Sequence, residues 1–221
     1  MREYQISIEL LSDTMPGSGE SVPGTIDSDI RYDSYGIPYM NAKTLKGHLR
    51  EQMEMITAYA ADMKDYPVRE LLGSSDKEAE KKQGRLKFTD VTLGRGIRSA
   101  IQNAIDTAEQ DARAHKKENT IVTANDIINA LTLTASYTSI ERKTGIVKAH
   151  SLRRERILQK GLTLYSTLYF DTDGMMEEEI NRAETLLDMS VRAIQHIGTH
   201  KSKGMGHVRC RLKSAGEEQN V

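Results

Sequence analysis

A single cysteine in 221 residues leaves nothing for a disulfide framework or a cysteine-based zinc site. That scarcity points to a reducing compartment, and a cytoplasmic protein is expected. Long hydrophobic runs are missing too: no window approaches the ~20 apolar residues of a membrane span, and Met1 to Leu11 lacks the basic start and apolar stretch of a signal peptide. No membrane partner is expected. The third absence is charge of one sign. A formal net charge of −1 excludes a chain that is basic all over, so any polyanion binding must come from charges segregated along the sequence. What is present suffices for a core: 38% of the residues are hydrophobic, and the length fits one decorated domain.

Tyr4 to Leu11 alternates, with Ile6, Ile8 and Leu10 on one face, and predicts a half-buried strand. Ser12 to Gly24, with Pro16, Gly17, Gly19, Pro23 and Gly24, predicts a loop, either one that approaches a ligand or a plain surface loop. Acid then stands beside base. Asp27, Asp29 and Asp33 surround Arg31, ahead of a turn at Gly36 and Pro38. On a continuous strand the three aspartates share a parity and face one side with Arg31, as part of a polyanion site or as a surface salt-bridge cluster worth little. From Asn41, the expected N-cap, the residues Leu45, Leu49, Met53, Ile56, Ala60 and Met63 recur at helical spacing. Lys43, Lys46 and Arg50 share another face near the helix N-terminus, where the dipole favours anions. A solvated face is the simpler explanation of such a row. Gly47 weighs against it, because a glycine inside a helix costs roughly 1 kcal/mol relative to alanine and close approach of another backbone is one reason to accept that.

A charged connector, Asp76 to Gln83, leads to a second alternating strand at Arg85 to Leu93. Residues Gly94 to Thr134 form a helical block with the stripe Ile97, Ile101, Ile105, Ala108 and Ala112 and a capping-box pattern at Thr123 and Asp126; it reads as an insertion. Thr138 to Arg156 is the strongest basic segment: Arg142, Lys143, Lys148, Arg153, Arg154 and Arg156 stand against Glu141 and Glu155, a local balance of +4. Gly145, Ile146 and Val147 in its middle predict a hairpin or arm with an apolar tip. It is either a solvated loop or an arm whose cations clamp phosphates while its tip wedges between bases. Leu162 to Phe170 is a third core strand. A helix follows with Ile180, Ala183, Leu186, Leu187, Val191 and Ile194 inward, and then a last strand with Val208, Cys210 and Leu212 inward, Cys210 being a packing residue. Between them lies the loop Gly198 to Gly206, in which glycines free backbone N–H groups for phosphates and His200, Lys201 and Lys203 are at hand. The order strand, helix, strand, insertion, strand, helix, strand predicts an α+β protein with a ferredoxin-like (RRM-like) βαββαβ core, a helical insertion and a basic hairpin.

Four marks in order resemble the RAMP superfamily, the RNA-binding subunits of CRISPR effector complexes. They are Gly24-Thr25-Ile26-Asp27 with Gly36-Ile37-Pro38-Tyr39; Leu45-Lys46-Gly47 with Arg50; Gly73-Ser74 with Gly84-Arg85-Leu86 and Phe88-Thr89-Asp90; and the loop Gly198 to Gly206. The chain looks most like the backbone subunit of type III (Csm/Cmr-like) complexes. That resemblance implies a single RAMP domain over 1–221, with a helical insertion at 94–134, a thumb hairpin at 136–160 and a glycine-rich loop at 198–206. It further implies that Lys43, Lys46, Arg50, the hairpin cations, His200, Lys201 and Lys203 bind RNA. Its partners would be guide crRNA, complementary target RNA, other effector subunits and further copies of the chain, in antiviral defence. Asp27 matches the family's cleaving aspartate, and a divalent metal, Mg2+, would assist the target's 2′-hydroxyl in attacking the adjacent phosphate.

The departures are Asn41-Ala42-Lys43-Thr44 where the family usually has Pro-Gly-Ser, and the large helical block. Arg142-Lys143-Thr144-Gly145 with Ser151-Leu152-Arg153 also resembles a capping subunit that binds one guide end without cutting. An endoribonuclease subunit and a non-catalytic structural subunit therefore stand side by side. A third reading is a stand-alone processing ribonuclease; such members of the superfamily commonly rely on a histidine or tyrosine pair near the N-terminal half, where His48 is the only histidine.

Overall fold

The computed structural model describes residues 1–17, 19–64, 66–74, 83–113 and 122–214. The predicted connector at 76–83 lies outside the described residues except for Gln83, and so does the side chain of Ala112. The alternation at the N-terminus gives β1 (Arg2–Leu10), with Tyr4, Ile6, Ile8 and Leu10 buried. Short strands β2 (Glu20–Val22), β3 (Ile26–Asp29), β4 (Arg31–Tyr32) and β5 (Pro38–Met40) lead into α1 (Ala42–Tyr59), and α2 (Val68–Leu72) follows. Next come β6 (Leu86–Phe88), β7 (Val91–Leu93), α3 (Arg95–Arg113), α4 (Ala124–Leu131), β8 (Thr132–Tyr137) and β9 (Arg153–Leu158). The chain ends its described part with β10 (Thr163–Phe170), α5 (Glu177–Ala193) and β11 (Val208–Ser214). This is a mixed α+β protein built on largely antiparallel sheets. The main sheet runs β11-β1-β10-β7-β5-β4, with β6 also on β10, and a second sheet runs β2-β3-β9-β8.

The predicted apolar stripes cover one face of the main sheet. Leu45, Leu49 and Met53 of α1 and Ile180, Ala183, Leu186, Leu187 and Val191 of α5 join the inward residues of β1 and β10 in one core. Each fully buried leucine, isoleucine, valine or methionine among them contributes about 1.5–3 kcal/mol relative to exposure. Both helices lie on that one face, so the outward residues of β1 and β10 line the other.

Four expectations change in detail. The strand at 85–93 is broken, because Phe88 pairs with Leu168 while Thr92 pairs with Tyr165, which leaves one extra residue on the β6–β7 side. That bulge frees Thr89 and Asp90, and Asp90 Oδ1 accepts from the Ala42 N–H at 2.7 Å. Asn41 occupies the N-cap position of α1 without a side-chain cap bond, so a remote aspartate supplies what the sequence assigns to it. The capping box at Thr123 and Asp126 is formed. The helical block, however, ends at Leu131, since Thr132 turns its hydroxyl back to the Ile128 carbonyl (2.5 Å) and starts β8. Finally, β3 is bulged against β2: Val22 pairs with Ile26 but Glu20 with Asp29. The shared parity of the aspartates is lost there, leaving Asp27 exposed and Asp29 2% exposed. Asp33 serves a turn, accepting from the Tyr35 and Ile37 N–H groups.

Candidate nucleic-acid interface

The basic segment folds as a hairpin. β8 and β9 pair from Thr132↔Leu158 to Tyr137↔Arg153, and beyond them an Ile140↔Val147 bridge and a turn at Gly145 (φ 69) close the tip. Ile146 is 68% exposed, and Ile140, Val147 and Leu152 are also open to solvent. Arg142, Lys143, Lys148, Arg153 and Arg154 are exposed along the arm. Arg156 is different. Its Nε lies 3.1 Å from Asp29 Oδ1, its Nη1 donates to Thr132 Oγ1, and Asp29 also accepts from the Tyr32 hydroxyl. This cation is spent inside the fold.

β3 runs parallel to β9 at Ser28↔Glu155, and that contact fixes the candidate cutter. Asp27 Oδ2 accepts from the Arg154 backbone N–H at 2.7 Å, so the carboxylate sits at the foot of the basic arm. Among the described residues no group of three or more His, Cys, Asp or Glu is placed to hold a metal ion. A Mg2+ ion nonetheless suits a single carboxylate when waters and RNA phosphates complete its octahedron; Asp27 meets that requirement and Asp29, buried on Arg156, does not.

The foot of the hairpin is latched to the glycine-rich loop. His200 Nε2 lies 2.7 Å from Oε2 of buried Glu155, and its ring is 5.4 Å from the Tyr137 ring. Lys203 Nζ stands 5.5 Å from that same ring, and the Tyr137 hydroxyl reaches Met205 Sδ at 3.2 Å. Tyr137 and Glu155 were not singled out by sequence reasoning. The available signal was the alternation Arg154-Glu155-Arg156, which places the lone acid on the inward parity. The loop's glycines also act otherwise than expected: a Cβ on Gly198 would meet the Met15 carbonyl oxygen at 2.0 Å and one on Gly206 the Ile197 oxygen at 2.2 Å. The Thr199 and Gly206 N–H groups bond to the Met15 and Asp13 carbonyls rather than standing open for phosphates. Lys201 and Lys203 remain exposed on a short 3-10 turn.

The cationic row on α1 divides. Lys43 is exposed; Lys46 is half-buried, and burial together with nearby Arg50 holds its ammonium below the ordinary lysine range. Arg50 Nη2 donates to the Leu72 and Gly73 carbonyls at 3.1 and 3.0 Å, closing the end of α2. Nothing within 4 Å would meet a Cβ on Gly47, so the space before α1 is open. His48 faces Lys201, and both line a concavity of about 400 Å³ with Glu51 and His196. Burial, and secondarily Lys201, pushes the His48 imidazole below its usual range. The loop and the outer face of α1 thus meet.

A family model for the RAMP superfamily matches residues 7–209. The chain belongs to the RAMP superfamily. Similar solved structures include a chain of the type III-B Cmr-beta complex bound to cognate target RNA, at 15% identity and TM-score 0.66 over 96% of this chain and 97% of that one. A chain of Cmr-beta in its apo state matches at 15% identity and TM-score 0.65 over 98% of each. No curated protein sequence matches it. No helix among the described residues is long and apolar enough to cross a membrane.

Proposed function

We propose that this chain is a guide-binding backbone subunit of a type III CRISPR effector complex and that it cleaves complementary RNA at Asp27. The observation that carries this reading is the bond from the Arg154 N–H to Asp27, which joins one free-standing carboxylate to the foot of a basic, apolar-tipped hairpin. The likeness to Cmr-beta chains, one set of them bound to target RNA, supports it. So does the order β11-β1-β10-β7 with α1 and α5 on one face, the arrangement of a ferredoxin-like core.

In this reading the thumb is the β8–β9 arm. Arg153 and Arg154 hold phosphates, and Ile140, Ile146 and Val147 wedge between bases, splaying a target nucleotide. Lys43, Lys46, Lys201 and Lys203 cradle the guide in the open space before Gly47. The Arg154 N–H orients Asp27 so that its other oxygen faces the splayed nucleotide; Mg2+ bound there would supply Lewis-acid activation of the phosphate. Guide pairing, not these side chains, would choose the target. Further copies of the chain and other effector subunits complete the assembly in the cytoplasm.

The test is Asp27→Ala in the assembled complex with Mg2+ and a complementary RNA. Cleavage disappears while RNA binding stays; undiminished cleavage would remove the nuclease assignment. The pattern Arg142-Lys143-Thr144-Gly145 with Ser151-Leu152-Arg153 on the hairpin favours a second reading, a non-catalytic capping subunit. For that subunit wild type and Asp27→Ala bind alike and neither cuts.

A further inference from the structure

The face of the main sheet opposite α1 and α5 has no part in the reading above. Its register is informative. Tyr39 pairs with Thr92, Thr92 with Tyr165, and Tyr165 with Ser7, so one row crosses β5, β7, β10 and β1. Strand spacing puts the two tyrosines of that row ~10 Å apart, enough for one flat ring to lie against either. Tyr169 follows Tyr165 on the same face, and a concavity of about 940 Å³ opens over all three. Arg95 and Arg98, from the start of α3, stand at its rim. Arg98 Nε is shielded from solvent and has no hydrogen-bond partner among the described residues, so this half-buried guanidinium at the rim keeps an unmatched donor. Glu3, Asp33 and Asp90 also border the basin.

We infer that this basin binds a nucleotide: the base stacks on Tyr165, beside Tyr39, and its phosphate takes the Arg95 and Arg98 guanidinium groups. The chemistry of the wall selects the ligand. Tyrosine faces on a sheet suit unpaired bases, arginines suit phosphate, and carboxylates accept from the exocyclic amino groups of bases, as Asp and Glu do with cytosine. A protein partner of apolar surface would find the wrong lining, for threonine hydroxyl groups and the Gln5 amide lie among the rings. The source is either an unpaired nucleotide of an RNA strand or a free nucleotide. This inference concerns the sheet face alone and stands whether or not Asp27 cuts.

Photocrosslinking tests it with the full chain and a single-stranded RNA carrying 4-thiouridine, the crosslinked peptides being mapped by mass spectrometry. A crosslink on β10 at Tyr165 to Tyr169 is expected, separate from any on the hairpin. Tyr165→Phe retains it. Tyr165→Leu weakens binding at this site by about fivefold to a hundredfold, the range of one base–aromatic stack, with hairpin crosslinks unchanged. Should Tyr165→Leu unfold the chain, Arg98→Gln at the rim provides the second variant and weakens the same crosslink. Competition by AMP or UMP identifies a free nucleotide as ligand, whereas competition by RNA alone identifies the strand. No crosslink on β10, one indifferent to both variants, or a sheet face covered by a neighbouring protein subunit in the RNA-free complex would each overturn the proposal.

Discussion

Glycine at residue scale separates two demands that the sequence writes with the same letter. Gly198 and Gly204 both have positive φ, 85 and 78 degrees. At Gly204 an added Cβ would meet nothing within 4 Å, so Gly204→Ala costs only the left-handed backbone strain, about 1–2 kcal/mol. At Gly198 the same carbon would stand 2.0 Å from the Met15 oxygen, so Gly198→Ala must also move a backbone and costs more. Urea unfolding of the two variants checks that order. The sequence marked both glycines but not this difference, because Met15 is remote in the chain. Cys210, by contrast, was legible from its inward parity. It is buried, and burial pushes its thiol up to about 12. A folded-state value above the unfolded one means that the unfolded chain gives up this proton first as pH rises. Its contribution to stability is complete below about pH 9 and falls away as the pH climbs through the folded value. Native protein should therefore resist thiol reagents at neutral pH and react only on unfolding.

At the scale of an element, β9 shows why a charge count misleads. Arg154 and Arg156 are two residues apart, yet Arg156 is locked on buried Asp29 and Arg154 is free at the surface. Arg156→Leu leaves a buried carboxylate without its cation and should cost about 3–5 kcal/mol of stability. Arg154→Ala should stay within about 0.5 kcal/mol while weakening RNA binding and lowering its salt slope by about 1. Chemical denaturation and RNA titrations at several salt concentrations separate the two; equal stability losses would sink the assignment. Sequence periodicity found every long element of the core, α1, β10 and α5 above all, because each buries one stripe at a regular period. It failed where one extra residue shifts the phase. The bulges in β3 and between β6 and β7 dissolved both the aspartate cluster and the continuous second strand.

For the whole molecule, the net charge of −1 hides an asymmetry. The hairpin and the glycine-rich loop carry a concentration of exposed cations, Arg142, Lys143, Lys148, Arg153, Arg154, Lys201 and Lys203, while α5 opens with Glu177, Glu178 and Glu179 on the surface and ties Arg2 to Glu177 and Glu184. An RNA held at the basic pole is kept from the acidic one, so orientation follows from charge. The basic pole is also mechanically separate. Its tip residues Ile140, Ile146, Val147 and Leu152 pack on no core cluster, whereas its foot is latched through Tyr137, Glu155 and His200. Stability should therefore depend on the foot and RNA binding on the tip. Tyr137 and Arg153 face each other where the regular ladder ends, so an Asn-Gly turn can replace residues 138–152 and close a two-residue hairpin. The shortened chain should unfold at the same or a slightly higher urea concentration, because a shorter loop loses less entropy on closing. Its RNA affinity should fall and become less sensitive to salt, as Arg142, Lys143 and Lys148 leave with the tip. Unchanged affinity would show that the arm is ornament and that RNA lies elsewhere on the fold.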